Sequence, residues 1–249
     1  SLDVISMMYP AELAEFELAD MQTVRTKGTK VVYTISFDKI QKEYTEKVKE
    51  GTETGTFDTY LKSELDKQIG YAGNFDGLIV EYKGTNPIYM SAEQKAEAKK
   101  NQDAFFSVVS TWKTGNADKL LTFQGYPENL LEQTILTSCK HIILATDNVT
   151  DDAQLSVVAR LAMVGSGVPT DRFVVAVSTA SLDAADKQTG FYDTDRALLE
   201  AAYWTTERSD DYTRAGLAIY NVQNDYYNAA NTYLYVKSAI NIMNPAPKK

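Results

Sequence analysis

The chain has almost none of the side chains that nucleophilic and metal sites usually need. Of its 249 residues, one is a cysteine, Cys139, and one is a histidine, His141. A single cysteine excludes an internal disulfide and a cysteine-based metal cluster. Any catalytic serine or cysteine that works with a histidine would have to use His141. His141 stands at the start of an apolar run, a position more typical of a structural residue than of a catalytic one. We therefore predict no metal site and no cofactor.

Basic clusters and long apolar runs are also absent. Lys and Arg total 25 against 34 Asp and Glu, which gives a formal net charge of -9 and a pI near 4.8. Binding phosphates needs clustered basic side chains, so this balance excludes nucleic acid and anionic membranes as expected partners. No apolar run approaches the roughly 18 residues of a membrane-spanning helix, so we expect no transmembrane segment.

What the chain does have is a regular alternation of strand and helix patterns, with no Pro-rich or Ser-rich linker. Apolar, β-branched runs predict seven strands, at residues 2–8, 30–37, 78–82, 120–124, 141–146, 173–178 and 216–220. Helical spacing of apolar residues, with a capping box at 91–94, predicts helices near 18–24, 57–69, 91–112, 151–164, 196–205 and 231–243, and a short helix before His141. Residues 47–56 are predicted to be polar and flexible.

Strands that alternate with helices predict parallel pairing through right-handed crossovers. We therefore expect one α/β domain over residues 1–249, of the (β/α)8 barrel type but one strand short. A doubly wound open sheet is the alternative. It usually carries a glycine-rich nucleotide loop after a strand, whereas Gly165-Ser166-Gly167 follows a predicted helix.

The segment 75–84 reads Phe-Asp-Gly-Leu-Ile-Val-Glu-Tyr-Lys-Gly. It resembles the signature strand of glycoside hydrolase family 18 (chitinases and endo-β-N-acetylglucosaminidases), written Asp-Gly-x-Asp-x-Asp-x-Glu, in which the final Glu is the general acid. Aligned on Asp76 and Gly77, the later acidic positions fall on Ile79, Glu81 and Lys83. An ammonium group with a pKa of about 10.4 cannot protonate a glycosidic oxygen as a carboxylic acid does near neutral pH.

The other predicted strands resemble the family's strands in order. Residues 2–8 match its second strand and no segment matches its first, so the resemblance implies a barrel that lacks or replaces that strand. The remaining matches are 30–35 with the third strand, 75–83 with the fourth, 120–124 with the fifth, 142–147 with the sixth, 173–178 with the seventh and 216–220 with the eighth.

The family's mechanism uses the substrate's own N-acetyl group as the nucleophile. The third Asp of the motif and a Tyr on the sixth strand orient that group. In this chain Thr146 stands where the Tyr belongs, while Asp147 matches the Asp that follows it. Tyr220 replaces the Trp that lies under the sugar on the eighth strand.

Two carboxylates are candidates for a relocated acid, Glu81 and Asp147. Alternation places Ile79, Glu81 and Lys83 on the same inward face of the strand. Two residues of strand span roughly 6.6 Å, so Glu81 would lie one layer deeper than the family's acid. An ion pair with Lys83 is the more plausible role for Glu81, and it would favour the ionised carboxylate.

The sequence therefore favours a non-catalytic glycan-binding protein. A barrel's ligand sits at the carboxyl ends of its strands. The ligand-binding candidates, which we expect to ring one concavity there, are Glu81, Lys83, Gln124, Tyr126, Asp147 and Tyr220. An active hydrolase with a relocated acid and a protein-interaction domain without a sugar ligand remain the alternatives.

Degenerate relatives of this family occur in the outer-membrane glycan-uptake systems of gut bacteria. The resemblance therefore implies a partner glycan that contains N-acetylglucosamine, of the N-glycan or chitin type. It also implies an extracellular or cell-surface location, as an outer-membrane lipoprotein in such an uptake complex. The chain opens at Ser1 directly into a strand pattern, so we expect that it is trimmed and that any export signal would be missing from it.

Overall fold

A computed structural model describes residues 2–165, 167–179 and 197–245. The chain forms two compact units, one of residues 1–124 and 129–140 and the other of residues 125–128 and 141–249. Strands and helices alternate in both units, so the predicted α/β class is confirmed. No helix in the described ranges is long and apolar enough to cross a membrane.

The first unit holds four strands in the order β1-β2-β3-β4. Strands β1 and β2 are parallel, with Ile5 opposite Val31, and β2 and β3 are parallel, with Tyr33 opposite Leu78. The strands are β1 (Val4–Met7), β2 (Lys30–Ser36), β3 (Gly77–Tyr82) and β4 (Leu120–Gly125), the last of which ends at the unit boundary. The helices are α1 (Glu15–Thr26), α2 (Phe37–Lys49), α3 (Phe57–Ile69) and α4 (Ala92–Gly115).

The second unit holds three parallel strands in the order β5-β6-β7. The strands are β5 (His141–Leu144), β6 (Phe173–Ser178) and β7 (Arg214–Tyr220). The helices are α5 (Asp152–Ala162), α6 (Ala197–Thr206), α7 (Val222–Tyr226) and α8 (Leu234–Met243). The predicted start of the α6 helix at Arg196 lies outside the described residues, as does Ser166 of the predicted glycine turn.

Buried apolar strands account for the core of each unit. Every residue of β6 is buried, and all of β3 except Glu81 is buried, as expected for parallel strands covered on both faces. His141 lies at the amino end of β5, the end that in parallel barrels is associated with stability rather than catalysis. The short helix predicted before it is a 3-10 turn, Thr134–Ser138.

Helix α2 differs from the sequence-based prediction, which placed residues 47–56 in a flexible stretch. Residues 47–49 instead form the last turn of α2. The helix begins where the Ser36 side chain accepts a hydrogen bond from the Lys39 backbone N–H, at 3.1 Å. Only Phe37 and Ile40 are buried in it, and most of its other residues are polar.

Candidate functional site

The backbone at Lys83, directly after β3, is held from two sides. Its N–H donates to Asp38 Oδ2 at 2.7 Å, and the N–H of Gly84 donates to Asp38 Oδ1 at 3.1 Å. On the other side, the Lys83 carbonyl accepts from Asn129 Nδ2 at 2.7 Å. The position that carries the general acid in the family is therefore fixed before any ligand binds.

Gly84 turns the chain sharply after Lys83. Its φ of +54° is in the left-handed region that favours glycine. A Cβ at this position would also lie 2.5 Å from the ring of Tyr82. The turn and the two anchors give the loop after β3 one defined conformation.

Glu81 and Gln124 are two predicted site residues that the structure brings together. The half-buried Glu81 accepts a hydrogen bond from the amide Nε2 of Gln124 at 2.9 Å. Gln124 itself is buried near the end of β4. This hydrogen bond holds the Glu81 side chain in position. It also gives the buried amide of Gln124 the partner that a buried polar group needs.

Tyr126 and Asp147 form the second predicted pair, in the second unit. The Tyr126 hydroxyl lies 2.9 Å from Asp147 Oδ2 and donates to it. Burial raises the pKa of Tyr126, and the neighbouring carboxylates of Asp147 and Glu128 raise it further, so the phenol stays protonated. Asp147 is exposed and presents its carboxylate to solvent.

Thr146 and Tyr220 are the residues that the sequence comparison aligned with two sugar-contacting residues of the family. Thr146 is buried, and its hydroxyl donates to the Ala176 carbonyl in β6 at 2.8 Å. This hydrogen bond links the segment after β5 to β6. Tyr220 ends β7 with a half-buried side chain, and its carbonyl accepts from the N–H of Thr179 at 3.0 Å.

Asp76 and Gly77, the part of the motif that this chain keeps, have structural roles at the start of β3. Asp76 Oδ2 accepts from Arg25 Nε and from the Val31 backbone N–H, both at 2.8 Å. A Cβ on Gly77 would lie 2.3 Å from the Leu120 carbonyl oxygen, so β3 and β4 approach each other only over a glycine.

Some residues around these groups were missed by the sequence reasoning. Asp38 and Asn129 anchor Lys83 from positions 45 and 46 residues away in the chain. Glu128 lies in the 3-10 turn after β4, and burial raises the pKa of its carboxyl. Its place one residue after the strand-end turn Gly125-Tyr126-Pro127 was the only sequence signal for it. The convergence of all six predicted residues on one concavity stays a prediction.

The fold is similar to that of a solved family 18 chitinase. It matches the crystal structure of a family 18 chitinase from Pseudoalteromonas aurantia with a TM-score of 0.62 and 10% identity, covering 96% of this chain and 92% of that one. A Group IV chitinase from Ostrinia furnacalis in complex with allosamidin matches with a TM-score of 0.49 and 10% identity, covering 96% and 90%.

Residues 1–242 match the family model described as glycoside hydrolase family 18, BT1044-like. The chain therefore belongs to that family, which confirms the resemblance drawn from the strand at 75–84. No curated protein matches the chain in sequence.

Proposed function

We propose that this chain is a non-catalytic carbohydrate-binding protein that captures glycans containing N-acetylglucosamine, of the N-glycan or chitin type. The observation that carries the proposal is Lys83 at the position of the family's general acid. Asp38 and Asn129 fix the backbone there, so the strand cannot slide to present a carboxylate instead. A one-residue slip would also turn every side chain of β3 to the opposite face.

The acetamido-orienting groups are altered as well. The family uses an Asp where this chain has Ile79, which is buried, and a Tyr where Thr146 is committed to a backbone carbonyl. Substrate-assisted hydrolysis needs the N-acetyl group held against the anomeric carbon. Loss of the acid together with these groups supports binding without turnover.

The residues that remain suit recognition of a sugar. Tyr126 and Asp147 form a fixed donor–acceptor pair, Glu81 and Gln124 form another, and Tyr220 offers an aromatic face. Each neutral hydrogen bond contributes about 0.5–1.5 kcal/mol net, so affinity for a single glycan chain should be modest. The family resemblance also supports a place at the cell surface, in an outer-membrane glycan-uptake complex.

The alternative function is hydrolysis with a relocated acid, and one observation favours it. Burial raises the pKa of Glu128, which is the direction that a general acid needs. Glu81 is less suited, because it is engaged by Gln124 and lies roughly 6.6 Å along the strand from the acid position, beyond the 2.6–3.2 Å reach of proton transfer. Asp147 is the third carboxyl to be tested.

The decisive experiment measures binding and turnover on the same probes, chitin oligosaccharides and a biantennary N-glycan. We expect binding to the purified protein on a glycan array, with no release of reducing sugar above buffer. Lys83→Glu should stay inactive, because Ile79 and Thr146 still leave the acetamido group unoriented.

Turnover by the wild type would contradict the proposal. The variants Glu81→Gln, Glu128→Gln and Asp147→Asn would then show which carboxyl is the acid, since only its loss should abolish hydrolysis while binding persists. Binding of neither probe would exclude the glycan-binding function altogether.

A further inference from the structure

Three tyrosines cluster in the segment that follows β7. The rings of Tyr226 and Tyr227 meet edge to face with centroids 5.0 Å apart, and Tyr226 meets Tyr233 with centroids 5.4 Å apart. Tyr227 is 78% exposed and Tyr226 48% exposed. Aromatic side chains of this size usually bury most of their surface, so two exposed rings in contact are unusual on a folded protein.

The cluster rests on a buried carboxylate, that of Asp225. Its Oδ2 accepts from the Val236 N–H at 2.8 Å, and its Oδ1 accepts from the Tyr235 N–H at 3.2 Å. Its backbone carbonyl accepts from the Tyr233 N–H at 2.8 Å. The segment is thus fastened at its centre to the start of α8, and the rings of Tyr226 and Tyr227 project from a fixed base.

The backbone on both sides of the cluster is in an uncommon conformation. Asn221 and Tyr233 have φ values of 55° and 56°, in the left-handed region that asparagine often adopts but a bulky side chain such as that of Tyr233 rarely does. The hydrogen bond from Tyr233 to Asp225 maintains this conformation. Local backbone strain of this kind is concentrated at ligand clamps and active sites.

The surface chemistry of the segment is neutral and rich in amides. Residues 221–235 contain one charged side chain, the buried Asp225, although the whole chain has a net charge of -9. Five amide side chains lie among the tyrosines, and the Nδ2 of Asn224 is buried without a hydrogen-bond partner. Amides and tyrosine hydroxyls can both donate to and accept from the hydroxyl groups of a sugar.

We propose that Tyr226 and Tyr227 form a second sugar-binding surface, on which uncharged pyranose rings of a glycan chain stack. The inference rests on the proposed function and extends it. The ligand is uncharged because residues 221–235 carry no exposed ionic side chain, and the ammonium group of the neighbouring Lys237 already donates to the Thr232 carbonyl at 2.8 Å. The segment directly follows the carboxyl end of β7, the end at which (β/α)8 barrels bind ligands, and the proposed function makes that ligand a sugar.

The test compares alanine and phenylalanine variants for binding to chitohexaose and to a biantennary N-glycan by titration calorimetry. Tyr226→Ala and Tyr227→Ala should each weaken binding about tenfold, because the stacking face is lost. Tyr227→Phe keeps the ring and should bind close to wild type. Tyr203→Ala removes a tyrosine that is 59% exposed on α6 and is the matched control, with no expected change.

The outcomes separate this inference from the proposed function. If the wild type binds neither probe, both fail. If the wild type binds and the two alanine variants match Tyr203→Ala, this inference alone is overturned and the sugar uses the strand-end residues only. Unchanged circular dichroism of each variant shows that any lost affinity comes from the lost ring.

Discussion

Asp76 is a charged residue whose ionisation contributes to the stability of the first unit. Burial on its own raises the pKa of Asp76, but the hydrogen bonds from the Val31 N–H and from Arg25, and the positive charge of Arg25, outweigh it and lower the pKa below its ordinary value. A carboxylate whose pKa is lowered by folding stabilises the folded state above its unfolded pKa of about 3.9. That contribution disappears as the pH falls through the folded pKa.

Asp76→Asn should therefore destabilise the protein by about 2 kcal/mol at pH 7, since a hydrogen-bonded charge is replaced by a neutral amide. The difference from wild type should shrink below about pH 4, where the carboxyl of the unfolded chain becomes protonated, and disappear once the pH falls below the lowered pKa of the folded protein. Urea unfolding at several pH values measures both effects. Asp20→Asn, at an exposed position of α1, is the control with no expected change. A destabilisation that stays constant from pH 7 to about pH 3 would contradict this account.

At the scale of elements, the sequence predicted strands better than helices. Buried parallel strands are continuous apolar runs, so β2, β4 and β6 were found within a residue or two of their observed bounds. Helix α2 was not predicted, because its sequence is mostly polar and has few apolar residues to mark a buried face. Helix α7 has five residues, too few for a recognisable period.

The prediction of the site was limited to residues that a strand pattern could place. Two pairs of the predicted residues are in hydrogen-bond contact, Glu81 with Gln124 and Tyr126 with Asp147. The anchors of Lys83 could not be predicted, because Asp38 and Asn129 act on its backbone from far away in the chain. Almost every residue type has the same backbone N–H and carbonyl groups, so the sequence does not show which residue is held by such hydrogen bonds.

Helix α8 gives a prediction at this scale. Its N-cap residue Tyr233 makes no side-chain cap, and Asp225 instead accepts from the N–H groups of the first turn. Asp225→Asn would turn an amide donor or a neutral oxygen toward these N–H groups and remove a negative charge from the helix N-terminus. We expect a loss of about 2 kcal/mol in the free energy of unfolding.

Chemical denaturation measures the change in Asp225→Asn, and glycan titration shows whether the tyrosine surface is disturbed with it. Asp211→Asn, an exposed position of the same unit, is the matched control. Equal stability of the two variants would show that Asp225 does not fasten the start of α8.

At the scale of the whole molecule, the effect of salt on binding distinguishes an ionic ligand from a neutral one. The chain is acidic, yet the proposed recognition uses neutral amides and phenols beside residues such as Asp147 that accept hydrogen bonds. Attraction between net charges would fall with ionic strength, because the Debye length shortens from about 10 Å at 0.1 M salt to 3 Å at 1 M. Hydrogen bonding and stacking of a neutral sugar are much less sensitive.

Binding of chitohexaose should therefore change by less than about twofold between roughly 50 mM and 500 mM NaCl. Titration at both salt concentrations measures it, with folding checked by circular dichroism at each. A loss of affinity of about tenfold or more at the higher concentration would instead indicate an ionic ligand site, and would remove neutral stacking as the main contribution.

The close approach of β3 to β4 over Gly77 bears on how activity is inferred across this family. A side chain at that position would collide with the Leu120 carbonyl, so the glycine is needed for folding whether or not a sugar is ever cleaved. In this chain Asp76 and Gly77 therefore report on the folding of the strand, whereas the residue at the position of Lys83 bears on the chemistry and is the more informative one to inspect.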